Sequence, residues 1–256
     1  MINQLDFESN GVCIYKSFLS EEEVIEVREI LNEATIICQS MQKKSGLINI
    51  TSGSSHHLPV IDRRFLNIIN SYKKLDSFIT SLFGGKYILN SFGGNLNVKE
   101  TINYASNIHR DQRFFSGTTL ILLNTFIALC DFTVSNGATR ILTKDKYFST
   151  KKPDQSFFDE NSIFLEIKAG SLCLFNSNLW HAAGNNLTSE NRPIITPMFS
   201  RPFFKQQFDY SRLVEPNDSN FLKQILGFYS RVPSDLLEWY APTDQRCYLA
   251  GQDYDF

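Results

Sequence analysis

The chain has 256 residues, 42% of them hydrophobic and 20% charged, and carries a formal net charge of −2. That balance describes a globular protein able to bury a sizeable core, and it offers no basic surface for nucleic acid or an anionic membrane. Five scattered cysteines, never in a CxxC arrangement, predict reduced thiols in a cytoplasmic protein and argue against a disulfide frame or a structural zinc site.

No run approaches the roughly 20 apolar residues of a membrane helix. The opening MINQLDFESNG has neither the basic leader nor the apolar stretch of a signal peptide. FLSEEEVIEVREILNEA then predicts a helix. Ser20 is placed to cap it, Glu23 to close a capping box, and Val24, Val27 and Leu31 fall on one face. KKSGLINITSGSSHH reads as a polar loop. A second helix is predicted through RRFLNIINSYKKLDSFITSLFGGKY, with Phe65, Ile69, Tyr72, Ile79 and Leu82 as its buried stripe and Gly84-Gly85 as its stop.

From Tyr87 the texture changes to short apolar runs between turn residues. YILNSFGGNLNV, TTLILLNTFIALCDF, TRILT, IFLEI, GSLCLFNS and ITPMFSRPFF are each strand-like, and SNGAT and IKAGS are turn signals. Strands without long intervening helices predict an antiparallel sandwich or barrel. SNFLKQILGFYSRVPSDLLEWYAP regains a helical look. The chain reads as one domain over residues 1–256: a helical flank (1–86), a β core (87–204) and a C-terminal helical extension (205–256).

Chemistry concentrates in two stretches. NIHRDQRFF sets His109 and Asp111 two apart, so at a strand end both side chains point to one side while Arg110 points away. GSLCLFNSNLWHAAGNNLTSENRPIITPMF places His181 just past a strand, and Arg192 eleven positions later. His109, Asp111 and His181 supply two nitrogens and one oxygen, the set that occupies one face of an octahedral iron(II) and leaves three positions open. Two of those suit a bidentate 2-oxo acid and the third dioxygen. Arg192 offers a cationic fork matched to a distal carboxylate.

Those residues, with the turn SNGATRIL and the segment GSLCLFNSNLWHAAGNN, resemble the phytanoyl-CoA dioxygenase family of iron(II)/2-oxoglutarate-dependent oxygenases over residues 87–204. The resemblance implies a mainly β fold, a double-stranded β-helix (a cupin-like jelly roll) with flanking α-helices. It implies iron(II) on His109, Asp111 and His181, 2-oxoglutarate on Arg192, and O2 as oxidant. The reaction implied is hydroxylation of a small-molecule substrate, with release of succinate and CO2. Two departures stand out. Ala183 replaces a small polar residue that helps hold the co-substrate in some members, and Thr143-Lys144-Asp145-Lys146 replaces the usual follow-on of the turn. Asn124, in an otherwise apolar strand, resembles a position that contacts 2-oxoglutarate in some members, while Asn95 and Asn97 share a face of the strand before the His109–Asp111 pair and either is an alternative contact, between which the sequence does not choose.

Other residues read as structural. Adjacent residues on an extended chain point opposite ways, so His56-His57 reads as a pair of exposed loop histidines. Trp180 either walls the metal pocket or packs, Cys173 carries no chemistry, and Arg110, Arg113 and Arg201 are surface charges or contacts to an anionic substrate. A halogenase is disfavoured because Asp111 is present. A zinc hydrolase leaves Arg192 without a use, and a non-catalytic, sensory jelly-roll protein is the remaining alternative. Slight basic clusters at Lys43-Lys44 and Lys151-Lys152 favour a small or medium polar metabolite, or a natural-product intermediate, over a CoA thioester. The 43–57 loop, the insertion YFSTKKPDQSFFDENS and the C-terminal segment are the expected specificity elements, with the insertion a candidate lid. Nothing in the sequence fixes the oligomeric state.

Overall fold

The computed structural model describes residues 2–3, 6–47, 53–99 and 104–252; the middle of the loop predicted over 43–57 lies outside them. Among the described residues the strands are β1 (Ile2–Asn3), β2 (Val12–Tyr15), β3 (Ser54–Ser55), β4 (Ile88–Asn97), β5 (Leu122–Ala128), β6 (Arg140–Ile141), β7 (Ile163–Phe164), β8 (Leu172–Asn176), β9 (His181–Ala182) and β10 (Arg192–Ser200). The helices are α1 (Phe7–Asn10), α2 (Glu21–Lys44), α3 (Leu58–Ile61), α4 (Phe65–Ser71), α5 (Asp76–Phe83), α6 (Gln155–Asn161), α7 (Asn220–Ile225) and α8 (Leu236–Trp239).

Two antiparallel sheets carry the fold, one in the order β1-β2-β8-β5-β10-β4-β3 and the other β7-β6-β9. The alternation of side chains along a strand explains why the central strands are apolar on both faces. On β5, Leu123 and Ile127 enter a cluster with the helices, whereas Phe126 and Ala128 enter a second cluster between the sheets. On β8, Leu172 and Leu174 face the helices and Cys173 and Phe175 face the small sheet, where Ile141 of β6 meets them. The result is the jelly roll with flanking helices that the strand pattern and resemblance predicted.

The helical cover shows what local sequence specifies well. Ser20 accepts from the Glu23 N–H at 3.2 Å and the Glu23 carboxylate takes the Ser20 N–H at 2.7 Å, so the predicted capping box starts α2. Val24, Val27 and Leu31 are buried as expected. Ser20→Ala should cost about 1 kcal/mol, read as a lower urea midpoint at unchanged slope; an unchanged midpoint would mean that the cap contributes nothing.

Two expectations need correction. The second helix is not continuous: α4 gives way to a 3-10 turn over Tyr72–Leu75 before α5. There Tyr72 turns fully inward, its hydroxyl 2.6 Å from Thr125 Oγ1 and its ring 4.9 Å from that of Phe199. Gly84 ends α5 in the left-handed conformation, as predicted. The flank before residue 87 is also not purely helical, because β2 pairs with β8 inside the large sheet.

Candidate metal centre and its cavity

β9 and the segment at His109 lie side by side. The two histidines exchange both backbone hydrogen bonds, His109 N–H to His181 O at 3.0 Å and His181 N–H to His109 O at 2.8 Å. This bridge sets their rings 4.3 Å apart. Asp111, two residues on, returns to the same point: its Oδ1 is 3.6 Å from His109 Nε2 and its Oδ2 is 3.5 Å from His181 Nε2. One ligand atom from each of the three falls within 4.8 Å of the others.

The second contacts of each ligand decide what those atoms present. His109 Nδ1 is 2.7 Å from Asn107 O, and His181 Nδ1 is 3.1 Å from Leu179 O. A carbonyl only accepts, so each neutral ring carries its proton on Nδ1 and turns an Nε2 lone pair toward the carboxylate. Three electron-rich atoms thus converge, which is unfavourable unless a cation sits among them. The two Nε2–carboxylate separations are shorter than two metal–ligand bonds of roughly 2.0–2.2 Å, so one ion can touch all three. Asn124, on β5, donates its amide to Asp111 Oδ2, and Ser177 Oγ donates to Asn124 Oδ1 at 2.7 Å. That second bond fixes the amide so that its NH2 faces the aspartate.

Burial holds the His181 imidazole down to about 4, helped by His109 and opposed by Asp111. The sign follows from linkage. The unfolded chain takes up a proton near the ordinary histidine value of about 6.5, whereas the folded chain resists it, so stability falls as pH drops from there toward 4. The metal-free protein should lose roughly 1–3 kcal/mol across this window, measured by urea unfolding at pH 7 and 4.5. A flat midpoint would show that His181 is not buried as a neutral base.

The triad opens on a cavity of about 410 Å³, lined also by Asn95, Asn124, Thr139, Arg192 and Thr196. Arg192 begins β10 and is 2% exposed, its guanidinium 4.3 Å over the Phe132 ring. Its Nε and Nη1 are buried without a hydrogen-bond partner. Burial lowers its proton affinity to about 10, which still leaves a cation at neutral pH. Two unsatisfied donors on a buried cation are costly unless a ligand accepts from them.

The asparagines separate. Asn124 lines the cavity, but Asp111 and Ser177 engage its amide, leaving one amide hydrogen for a ligand. Asn95 also lines the cavity and donates to Ser54 Oγ at 2.8 Å, whereas Asn97 is buried against Gly184 O at 3.2 Å. Gly137 explains the SNGAT turn. It sits at φ 80°, and a Cβ there would lie 2.4 Å from Gly184 O, so only glycine lets the turn close onto the segment after His181. Trp180 packs with Ile108, Leu142 and Phe158, and Arg110 stacks on it at 5.1 Å. Arg113 and Ala183 line the cavity.

The reading of His56-His57 as exposed loop residues is overturned for His57. That ring is part-buried and lines the cavity with His56, its Nδ1 2.8 Å from the Tyr210 hydroxyl. The extended geometry assumed for that segment fails because His57 adopts the left-handed conformation. Tyr210 comes from 153 positions later, and no sequence signal linked them.

The family described as Phytanoyl-CoA dioxygenase (PhyH) matches residues 7–194. An uncharacterized protein of Mycobacterium bovis is 39% identical over 151 residues, covering 56% of this chain and 54% of its own. Dioxygenase cdmA of Talaromyces verruculosus is 27% identical over 198 residues, 70% of this chain and 65% of its own. The chain therefore spans about half the length of the first relative and less than two thirds of the second. Among solved structures, HygX from Streptomyces hygroscopicus with nickel and 2-oxoglutarate bound superposes with a TM-score of 0.59 at 13% identity, covering 80% of this chain and 88% of that one. EctD from S. alaskensis with bound Fe gives a TM-score of 0.60 at 15% identity, covering 76% and 74%.

Proposed function

The chain belongs to the phytanoyl-CoA dioxygenase family, and from that premise we propose that it is an iron(II)- and 2-oxoglutarate-dependent oxygenase that hydroxylates a small or medium polar metabolite or natural-product intermediate. One observation carries the reading: three converging lone-pair atoms and a buried arginine with two unpaired donors face one cavity. A generic metal site has no use for the arginine, and a carboxylate-binding pocket has no use for the triad.

The iron, when bound, supplies activation of dioxygen coupled to oxidative decarboxylation of 2-oxoglutarate, giving succinate and CO2. The protein's own residues do the rest. His109, Asp111 and His181 hold one face of the ion, and the carbonyls of Asn107 and Leu179 keep both imidazoles in the ligating tautomer. Asn124 and Ser177 fix the Asp111 carboxylate. Arg192 clamps the distal carboxylate of 2-oxoglutarate. Phe126, Phe175, Ile194 and Met198 supply the apolar wall that limits water at the reacting centre. All five cysteines are free, and among the described residues no helix is long and apolar enough to cross a membrane.

The test is anaerobic loading with iron(II) and 2-oxoglutarate, followed by exposure to air and quantification of succinate with and without a metabolite library. Metal-dependent succinate formation, stimulated by some library member, is the expected result. Absence of succinate under every condition would favour a non-catalytic ligand-binding role.

A further inference from the structure

The chain contains four histidines, and all four line the one cavity. His109 and His181 belong to the triad, whereas His56 and His57 approach from the segment before α3 and have no part in the scheme above. His57 is held in an unusual way. Its φ of 54° and ψ of 45° lie in the left-handed region, which residues with a side chain adopt uncommonly. Its ring rests 4.9 Å from Phe208 and 5.9 Å from Tyr210.

The Tyr210 contact engages one edge of the ring and leaves the other open. The Tyr210 hydroxyl, on a fully buried ring, lies 2.8 Å from His57 Nδ1. A hydroxyl that donates to Nδ1 selects the ring tautomer protonated on Nε2. Burial first, and then the neighbouring His56, depress the basicity of His57, which favours a neutral ring, and a donating Tyr210 places its single proton on Nε2. Among the described residues no hydrogen-bond partner meets Nε2, so in that tautomer a cavity-lining residue keeps an open donor.

The charges around the cavity set the sign of what would accept it. Among the described residues that line the cavity Asp111 is the one carboxylate, and it belongs to the triad. Arg113 also lines the cavity, exposed and without an ion-pair partner among the described residues. We propose that His57 is a specificity-determining residue whose Nε2–H donates to an anionic oxygen group of the substrate, a carboxylate or a phosphate monoester, with Arg113 supplying the neutralising charge. The proposal rests on the oxygenase reading for its substrate pocket, and its test reads the two apart.

The full chain, ¹⁵N-labelled at histidine and loaded with zinc as a diamagnetic substitute together with 2-oxoglutarate, is titrated with butyrate, propyl phosphate, butyramide and butylamine while His57 is followed by NMR. His57 should show the Nε2–H tautomer, and Tyr210→Phe should mix the two tautomers. Butyrate or propyl phosphate should shift the Nε2 signal, the tighter of the two identifying the group. His57→Ala should weaken that anion about tenfold or more, and His57→Gln, which keeps a donor, should recover part of the loss. Arg113→Gln should weaken the anion but spare butyramide. An Nδ1–H tautomer, no response to either anion, equal affinity in His57→Ala and His57→Gln to the parent, or butylamine binding as tightly would overturn the proposal. Zinc and 2-oxoglutarate affinities are read in the same samples. Their loss in the parent protein would sink the oxygenase reading, whereas their retention in His57→Ala beside a lost anion response isolates His57.

Discussion

Asp111→Ala should abolish high-affinity metal binding while leaving the fold intact. Asp111 is the anionic member of the triad, and its removal leaves two neutral imidazoles with no charge to offset the desolvation of a divalent ion. Loss of a partner that merely orients a ligand already costs about 10–100-fold in metal affinity, so loss of the ligand itself should exceed that range. Asn124→Ala supplies the graded comparison. It removes the amide that holds Asp111 Oδ2 but retains all three ligands, and should fall within the about 10–100-fold window. The Asp111 side chain is 37% exposed, so its truncation opens no core cavity, and circular dichroism should be unchanged. Anaerobic titration calorimetry with iron(II) measures both variants. Undiminished affinity in Asp111→Ala, or a larger loss in Asn124→Ala, would break the assignment of this carboxylate as a ligand.

What could be read from the sequence follows the range of the interactions involved. The His109–Asp111 pair was legible because its geometry is local: residues two apart at a strand end share a side. The capping box of α2 and the left-handed Gly84 were legible for the same reason. β2 was not, because four residues carry too little pattern of their own, and their partner in β8 lies some 160 positions away; pairing decides such a strand more than propensity does. The break between α4 and α5 has no proline or glycine to announce it. It follows the burial of Tyr72 against Thr125 and Phe199, contacts visible only once the sheet is assembled. Asn124 shows a middle case. A lone amide in an apolar strand announced a polar partner, and its pairing with Asp111 and Ser177 emerged only from the fold.

Arg192→Ala should lower the affinity for 2-oxoglutarate by roughly 30-fold or more, since truncating one partner of a buried charge pair costs about 2–5 kcal/mol. The structure sharpens this expectation. Arg192 is 2% exposed and its Nε and Nη1 have no partner, so the cavity is built with a desolvated cation awaiting an acceptor, and little of the interaction is shared with solvent. The Phe132 ring beneath the guanidinium holds its plane and offers a face that an ammonium cannot use in the same way. Arg192→Lys should therefore recover only part of the affinity, keeping the charge and losing the planar fork. Iron affinity should barely change in either variant, because Arg192 is not among the three converging ligand atoms. Anaerobic titration of the iron(II) protein with 2-oxoglutarate, followed through its metal-to-ligand charge-transfer absorption, separates the two bindings. Parent-like affinity in Arg192→Ala would mean that the acid is anchored elsewhere or is not the co-substrate, and the two orphaned donors would then need another anion.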